Sequence, residues 1–516
     1  MERLGTTARP HPVTRLRLAV ALLVGAALVL GVSCSDGGTN TGSSEGATPS
    51  PGVDRPARPA PPAGPAADLS TELTGGNGPF TAAGSPTDLA AAGYVQQEFA
   101  AAGTATAYQA AGALGADGRW EFTPGSPAPY RTRVLVRRPA KAADFSGTVV
   151  VEWLNVSGGV DADVEWGALR EEIIRQGHAW VGVSAQRIGV VGGPVLVPVT
   201  EGASLAGRGL VAIDPARYGS LRHPGDGFSF DILTQVGRAV RAGVGLGGPH
   251  PRQLIAAGES QAAYALVTYY NGVQPHTRAF DGFFVHSRGA SGLPLVGPEE
   301  HADLVKALGS TPTVFRTDQD APVLDVQTES DLTGLLSSHR ARQPDNDRLR
   351  LWEVAGTAHV DTHLLGAAAA RIDCGVPINS GPLHLVAKAG LRALAAWVTT
   401  GTPPAAAPRI EVTADGEPSV RRDADRIAVG GIRTPPVEIP VTVLSGEPGP
   451  TSSAICQLAG SNRPLPAGRL AELYPSRNDY QKRYNEATES AVRSDFLLSE
   501  DLPAMLAMAD SSLIVA

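Results

Sequence analysis

From about residue 130 to residue 403, short apolar runs alternate with longer segments of helical periodicity. The apolar runs are rich in Val, Ile and Leu, as expected of strands that are covered on both faces. This alternation predicts an α/β fold, a mostly parallel sheet with helices on both faces, and leaves the direction of the most N-terminal strands open. The predicted strands are Arg133–Val136, Thr148–Trp153, Ala179–Ser184, Leu254–Ala257, Gly282–Val285, Val323–Gln327 and Leu351–Val354, and the predicted helices include Gly167–Arg175, Ile232–Ala242, Gln261–Gly272 and Leu385–Trp397.

After Pro403 the pattern changes. Three strand-like runs, Arg409–Val412, Arg426–Val429 and Val437–Val443, are separated by Gly and Pro, and helical periodicity returns around Tyr480–Ser494. We therefore divide the chain into an α/β domain at 69–403 and a C-terminal α+β appendage at 404–516 that packs on it.

The first residues have the features of an export signal. Arg9, Arg15 and Arg17 precede an uncharged apolar run, Leu18–Val32, that is too short to span a membrane. The small residues before Cys34 resemble the lipobox of bacterial lipoproteins, so residues 1–34 are predicted to be a signal peptide that ends at a lipidated cysteine. Plain secretion is the alternative. Residues 35–68 are mostly Gly, Ser, Thr, Pro and Ala, a composition that predicts a disordered tether.

The chain has three cysteines, Cys34, Cys374 and Cys456. If Cys34 carries lipid, an even pair remains in an oxidising compartment, where a disulfide is the default. Two separate buried thiols are the alternative.

The formal net charge of −8 argues against a nucleic-acid partner, because neutralising phosphates requires a basic surface. The sequence does not indicate an oligomeric state.

The segment from Arg252 to Val267 combines an apolar strand, a Gly-Glu-Ser-Gln-Ala turn and a helix. A sharp strand-to-helix turn forces its central serine into strained backbone geometry, so the residues two before and two after it must be small. Gly258 and Ala262 meet this requirement, and Ser260 is therefore the candidate nucleophile. Ser184 also follows a strand, but Gln186 is large and the Gly-rich segment from Arg187 is predicted not to form a helix.

Together with this turn, three further motifs carry a family resemblance. They are Gln327-Thr-Glu-Ser-Asp331, Glu353-Val-Ala-Gly-Thr-Ala-His359-Val-Asp361 and Asn379-Ser-Gly-Pro-Leu-His384. The chain resembles the α/β-hydrolase superfamily, and in particular a family of bacterial alpha/beta hydrolase domain proteins, from about residue 70 to residue 510. The resemblance implies the α/β-hydrolase fold and its catalytic machinery, but no substrate.

In that fold the catalytic residues follow the order serine, acid, histidine. The usual placement of the acid after a late strand favours Asp331, and Glu329 is the alternative. His359 follows the strand Leu351–Val354 and a turn, where the histidine of this fold belongs, and would act as the general base. His363 could form a zinc pair with His359, but no glutamate base or third ligand is evident, so no metal is expected.

Two backbone N–H groups should stabilise the oxyanion. One is that of Gln261, directly after the nucleophile, and the other is that of Asn155 or Val156 in the loop after Thr148–Trp153. His384 is expected near the pocket but outside the triad.

Two further motifs are not assigned a ligand. Gly243–Gly248 resembles a dinucleotide fingerprint but follows a helix and precedes a strand, the reverse of the required order, so no cofactor is expected. Asp161, Asp163 and Glu165 lack the spacing of a calcium loop and are predicted to lie at a solvated helix start.

These features predict a serine hydrolase that cleaves a small-molecule acyl ester through an acyl-enzyme and is anchored to the membrane by its N-terminal lipid. An acyltransferase or amidase with the same triad is an alternative from the same class, and an inactive surface binding protein is one from a different class. The long connection from Ile188 to Asp231 is predicted to shape the pocket.

Overall fold

The computed structural model describes residues 60–82, 87–197, 205–414 and 416–514. Cys34, the predicted signal peptide and most of the predicted tether lie outside these residues. From residue 60 onward the described chain forms one compact unit. Its strands are β1 (Asp68–Glu72), β2 (Tyr94–Ala110), β3 (Phe122–Pro139), β4 (Thr148–Trp153), β5 (Ala179–Val183), β6 (Gln253–Glu259), β7 (Gly282–His286), β8 (Val323–Thr328), β9 (Leu349–Val354), β10 (Thr442–Ser445) and β11 (Ser461–Pro464).

The first nine strands form one sheet in the order β1-β2-β3-β5-β4-β6-β7-β8-β9. The pairs from β5 to β9 are all parallel, whereas β1, β2, β3 and β5 pair antiparallel. The predicted α/β-hydrolase fold with a mostly parallel sheet is confirmed, and the direction that the sequence left open is antiparallel at the N-terminal edge.

Helices cover both faces of this sheet. The α-helices are α1 (Val164–Arg175), α2 (Arg187–Val191), α3 (Gly209–Ile213), α4 (Pro215–Tyr218), α5 (Ser229–Arg241), α6 (Gln261–Thr268), α7 (Gln274–Thr277), α8 (Leu304–Leu308), α9 (Thr362–Leu365), α10 (Leu383–Thr400), α11 (Pro435–Glu438), α12 (Ala454–Leu458), α13 (Ala467–Leu473), α14 (Arg477–Arg493) and α15 (Leu502–Leu506). The short helix α2 corrects the prediction that the segment from Arg187 does not form a helix.

Successive residues of the central strands supply two separate hydrophobic cores. Val149 and Val151 of β4 pack in the core that contains α5 and α6. Val150, which lies between them, packs in the core that contains α1 and α10. This period of two, with both sides buried, is the reason that each central strand is apolar throughout its length.

The long β2–β3 hairpin was predicted only in part, because Arg133–Val136 is the only segment of it with consecutive Val and Leu residues. Strand β2 is rich in Ala and Gly, which have low strand propensity, and β3 contains several prolines. The two strands nevertheless pair from Tyr94↔Pro139 to Ala110↔Phe122. This pairing is therefore not visible in the local composition.

The C-terminal region contains a two-stranded antiparallel sheet, β10 with β11, together with helices. The strands predicted at Arg409–Val412 and Arg426–Val429 are reduced to isolated bridges such as Ile410↔Gly430. The strand predicted at Val437–Val443 was misplaced, because Thr434-Pro-Pro starts helix α11 and extended pairing begins only at Thr442. The helix predicted around Tyr480–Ser494 corresponds to α14.

The C-terminal region packs against the end of the main sheet. Leu332 and Ala355, which follow β8 and β9, share a hydrophobic core with Tyr474, Tyr480 and Tyr484. Cys374 and Cys456, 82 residues apart, form a disulfide with a Cα–Cα distance of 5.3 Å, as their number predicted. In the described part of the chain we find no helix that combines the length and apolarity needed to cross a bilayer.

Candidate active site

The candidate residues come from segments that follow the carboxyl ends of four strands in the parallel part of the sheet, where β7 lies between β6 and β8. Asn155 follows β4, Ser260 follows β6, Asp331 follows β8 and His359 follows β9. Because these ends lie at one edge of the sheet, side chains far apart in sequence meet there. Ligand sites of open α/β sheets lie at the same edge.

Ser260 lies at the strand-to-helix turn between β6 and α6 with φ 54° and ψ −117°. Residues other than glycine disfavour this backbone conformation, so the surrounding structure must hold Ser260 in it. The approach of strand and helix is also close, because a Cβ placed on Gly258 would lie 3.0 Å from Cβ of Ala262. Small residues at these two positions are therefore a steric requirement of the turn.

Ser260, His359 and Asp331 form one chain of hydrogen bonds. The Ser260 Oγ lies 2.8 Å from His359 Nε2, and His359 Nδ1 lies 2.7 Å from Asp331 Oδ1. The other carboxylate oxygen of Asp331 accepts the backbone N–H of Thr328 at 2.7 Å, and the Ser330 hydroxyl accepts that of His359 at 2.8 Å. The side chains of Ser260, His359 and Asp331 are all buried. The imidazole is thus fixed between a hydroxyl and a carboxylate.

Glu329, the alternative acid, lies elsewhere. Its carboxylate accepts the backbone N–H groups of Gly356 and Gly446, each at 2.8 Å, and forms an ion pair with Arg422. Glu329 therefore joins the turn after β9 to the C-terminal region. Of the two candidate acids after β8, Asp331 is the one whose carboxylate contacts His359.

The backbone N–H groups predicted for the oxyanion differ in availability. That of Gln261 is the first of α6 and has no acceptor in the described chain. That of Val156 donates to the side-chain oxygen of Gln261 at 3.2 Å. That of Asn155 donates to the carbonyl of Ala162 at 3.0 Å, so it is already engaged. The N–H of Val156 is thus paired with a side chain, whereas that of Asn155 is paired with the backbone.

Sequence reasoning gave no role to Glu259, which precedes the candidate nucleophile. Its Oε1 lies 3.1 Å from His359 Nε2, and its Oε2 accepts the side-chain N–H of Asn155 at 3.1 Å. The motif contains this residue, but its side-chain direction depends on the turn geometry and on a histidine 100 positions later. No local signal reveals that contact.

Buried charges surround this contact. Burial raises the pKa of Glu259 to about 7, although His359 and His286 oppose the rise. Burial alone would lower the pKa of His359, but the carboxylates of Glu259 and Asp331 outweigh it and raise that pKa. His286 is buried with its Nδ1 3.4 Å from Glu165; burial opposes its charged form, yet Glu165 and Glu259 raise its pKa to about 9.

A cavity of about 370 Å³ opens beside the Ser260 hydroxyl. Its polar lining includes Asn155, Ser157, Glu259 and His359, and none of the described lining residues is Lys or Arg. Most of the remaining lining is aliphatic. Examples are Val160, Val164, Leu205, Leu364, Leu365 and Leu458.

Asp161, Asp163 and Glu165 do lie at the start of a helix, but the prediction that this start is solvated was wrong. Asp161 is buried and forms an ion pair with Arg133 at 2.7 Å, and Asp163 pairs with Arg137 at 2.6 Å. Two arginines of β3, a strand predicted only in part, satisfy these carboxylates. The rejected nucleophile Ser184 also belongs to this buried network, because its hydroxyl donates to Asp161 at 2.5 Å.

His363 and His384 stack face to face with ring centroids 3.7 Å apart. The Nε2 atom of His363 lies 3.3 Å from the carbonyl oxygen of Gly167. Among the described residues no group of three or more His, Cys, Asp or Glu side chains is arranged to hold a metal ion.

The fold is that of an α/β hydrolase. A family model described as "Alpha/beta hydrolase domain" matches residues 61–507, and the chain belongs to this family. No curated protein matches the sequence.

Several solved structures are similar to this chain at low identity. A serine hydrolase without a lid from Xanthomonas campestris is 15% identical, with 48% of this chain and 83% of that chain covered and a TM-score of 0.25. A fungal esterase from Rhizomucor miehei is 11% identical over 58% and 86% of the two chains, with a TM-score of 0.31. Carboxyl esterase 2 from Tuber melanosporum is 10% identical over 57% and 88%, with a TM-score of 0.29.

Proposed function

We propose that this protein is a serine hydrolase that cleaves carboxylic esters through an acyl-enzyme. The observation that carries the proposal is the hydrogen-bonded chain from Ser260 through His359 to Asp331 beside an apolar cavity. A serine hydroxyl is a weak nucleophile until a base takes its proton, and an imidazole oriented by a buried carboxylate is such a base.

In the first step the Ser260 Oγ bonds to the acyl carbon while its proton passes to His359 Nε2. The resulting imidazolium then gives that proton to the leaving alkoxide, the bond to the alcohol breaks, and the acyl group remains on Ser260. A water molecule, deprotonated by His359, attacks the acyl carbon and releases the acid, and the proton returns to Ser260.

The negative charge that develops on the carbonyl oxygen needs two donors. We assign them to the backbone N–H groups of Gln261 and Val156. The side-chain oxygen of Gln261 accepts from Val156 at 3.2 Å. On this assignment it would have to move away when the carbonyl oxygen of a substrate takes that hydrogen bond.

The cavity favours uncharged esters with an aliphatic acyl or alcohol group. Its described lining is largely aliphatic and lacks a cationic side chain, while Glu259 lies beside the nucleophile. An anionic substrate would lose hydration there without gaining a counter-ion. We therefore expect neutral esters to be preferred.

A fluorophosphonate probe tests the nucleophile directly. We expect the wild-type enzyme to be labelled on Ser260, and Ser260→Ala to lose both labelling and turnover while it unfolds at nearly the same temperature. A wild-type protein that is folded but unlabelled and inert toward activated esters would be a binding protein, and the proposal would fail.

A series of p-nitrophenyl esters tests the substrate class. From acetate to longer acyl chains, kcat/KM should rise by about fourfold for each CH₂ until the cavity is filled, from a transfer free energy of about 0.8 kcal/mol. The pentanoate ester and the glutarate monoester compare a neutral with an anionic acyl group of equal length, because a carboxylate replaces the terminal methyl group in the glutarate. A glutarate monoester that reacts as fast as the pentanoate would contradict the proposed selectivity.

We further propose that the enzyme is exported and anchored by lipid on Cys34. The basic N-terminus, the short apolar run and the small residues before Cys34 support this location.

A further inference from the structure

Glu259 is fixed against the imidazole that serves Ser260. Asn155 holds it from the other side, because its side-chain N–H groups reach both the carboxylate, at 3.1 Å, and the backbone carbonyl of Glu259, at 3.0 Å. The carboxylate thus lies 3.1 Å from His359 Nε2 in a buried position. This is the same nitrogen that lies 2.8 Å from the Ser260 hydroxyl.

The contact discriminates between the two states of the histidine. When Nδ1 keeps its proton toward Asp331, neutral His359 presents a lone pair at Nε2, which a carboxylate repels. The imidazolium presents an N–H at the same place, which a carboxylate attracts. In a buried site this difference is poorly screened by water. Glu259 therefore favours the protonated histidine.

We infer that Glu259 is a positioning residue that holds the His359 imidazolium between the two proton transfers of each half-reaction. The inference rests on the proposed function. The Ser260 proton moves to Nε2 as Oγ bonds to the acyl carbon. The new N–H is then shared between Glu259 and the departing alcohol oxygen, which receives the proton when its bond to carbon breaks. Asp331 holds the Nδ1 side throughout, so the imidazolium lies between two carboxylates.

The charged groups around Glu259 and His359 predict how kcat/KM depends on pH. Glu259 is influenced by His359 and His286, which favour its ionised form, and by Glu165 and Asp331, which oppose it. Because Glu259 and His359 are in contact, the two titrate as a pair. Below the apparent pKa of this pair an additional proton blocks Nε2, and kcat/KM falls.

The test is the pH profile of kcat/KM for an activated ester in the wild type and in Glu259→Gln. The amide keeps the shape and removes the charge, so His359 loses one stabilising carboxylate and its pKa falls. The acid limb of this profile is the pH range in which kcat/KM falls as the pH is lowered. We expect it to move to lower pH by about 1 unit, which is within the range of pKa shifts that an opposite charge causes at this distance. At the plateau kcat should fall by up to about tenfold, with KM less affected.

Asp231→Asn is the matched control. Asp231 is also buried, and it accepts hydrogen bonds from Thr106 and Gln235 rather than from His359. Its variant should keep the wild-type acid limb. If Glu259→Gln does not fold, Glu259→Asp provides the same test, because the shorter side chain weakens the contact and should move the limb in the same direction by less.

An acid limb that stays at the wild-type pH in a folded Glu259 variant overturns the inference. An acid limb that moves equally in Asp231→Asn also overturns the inference, since the loss of any buried negative charge would then shift the profile. Failure of the proposed function is distinguishable, because the wild type itself would then show no hydrolysis that depends on Ser260.

Discussion

At the scale of single residues, Ser260 and His359 are held by their neighbours rather than by their own preferences. The positive φ of Ser260 costs on the order of 1–3 kcal/mol and persists because β6 and α6 fix both sides of the turn. His359 is fixed at both ring nitrogens and at its backbone N–H. Such restraint keeps the hydroxyl and the imidazole aligned before substrate arrives.

The two acids after β8 should differ in what they support. We predict that Asp331→Asn lowers kcat by about 10⁴, because the amide leaves the imidazole in the wrong tautomer. Glu329→Gln should keep most of the activity per folded molecule but lower the free energy of unfolding by roughly 1–3 kcal/mol, since Arg422 loses one of its two carboxylate partners and keeps Glu447.

Steady-state kinetics and denaturant unfolding of both variants check this prediction. A Glu329→Gln enzyme that is as stable as the wild type but inactive would reverse the assignment of the two residues.

At the scale of elements, the disulfide connects the segment after α9 to α12. Helix α12 carries Ile455 and Leu458, which line the cavity. The disulfide therefore helps to fix one wall of the candidate active site.

Replacing both cysteines should destabilise this arrangement. For Cys374→Ser with Cys456→Ser we predict a loss of about 4 kcal/mol of unfolding free energy, from the chain-entropy model for a loop defined by a separation of 82 residues. Denaturant unfolding measures the loss. A reductant should destabilise the wild type and leave the double variant unchanged, and non-reducing peptide mapping that finds both thiols free would refute the disulfide.

We expect His178, the residue before β5, to make the stability of the fold depend on pH. Burial lowers the pKa of this histidine from 6.5 to about 4, and its Nδ1 lies 2.7 Å from the Ser146 hydroxyl. Between these two pKa values the unfolded chain binds a proton that the folded chain excludes. The stabilisation is therefore present above about pH 6.5 and is lost as pH falls toward about pH 4.

We predict that His178→Asn flattens this dependence, by about 3 kcal/mol between about pH 7 and about pH 4. Denaturant unfolding at several pH values measures the slope, and the exposed His250→Asn is the control. An unchanged slope in His178→Asn would show that other groups carry the acid sensitivity.

At the scale of the whole molecule, the predicted N-terminal anchor should not be needed for the activity of the folded enzyme. We predict that Cys34→Ala either releases active enzyme into the medium or leaves it held by an uncleaved signal segment, because in the proposed lipoprotein a diacylglycerol on Cys34 would supply the stable anchor. Cell fractionation with mass spectrometry of the mature N-terminus provides the measurement. A mature chain that begins elsewhere than residue 34 and carries no lipid would leave simple secretion.

The sequence predicted the central strands, the elbow around Ser260 and the position of His359 after β9. These features depend on interactions within a few residues: strands buried on both faces must be apolar, and a tight turn must have Gly258 and Ala262 beside its serine. The sequence also indicated the disulfide, since the number of cysteines and the predicted export leave one pair.

Only the tertiary structure decided which acid reaches His359 and what Glu259 contacts, because both depend on how loops from different strands meet. It also decided that β2 pairs with β3 along its whole length, and that Asp161 and Asp163 are buried against arginines of that hairpin. Hydrophobic periodicity and turn sterics are local properties and can be read along the chain. Hydrogen bonds and ion pairs between distant segments depend on the folded geometry, and no local pattern encodes them.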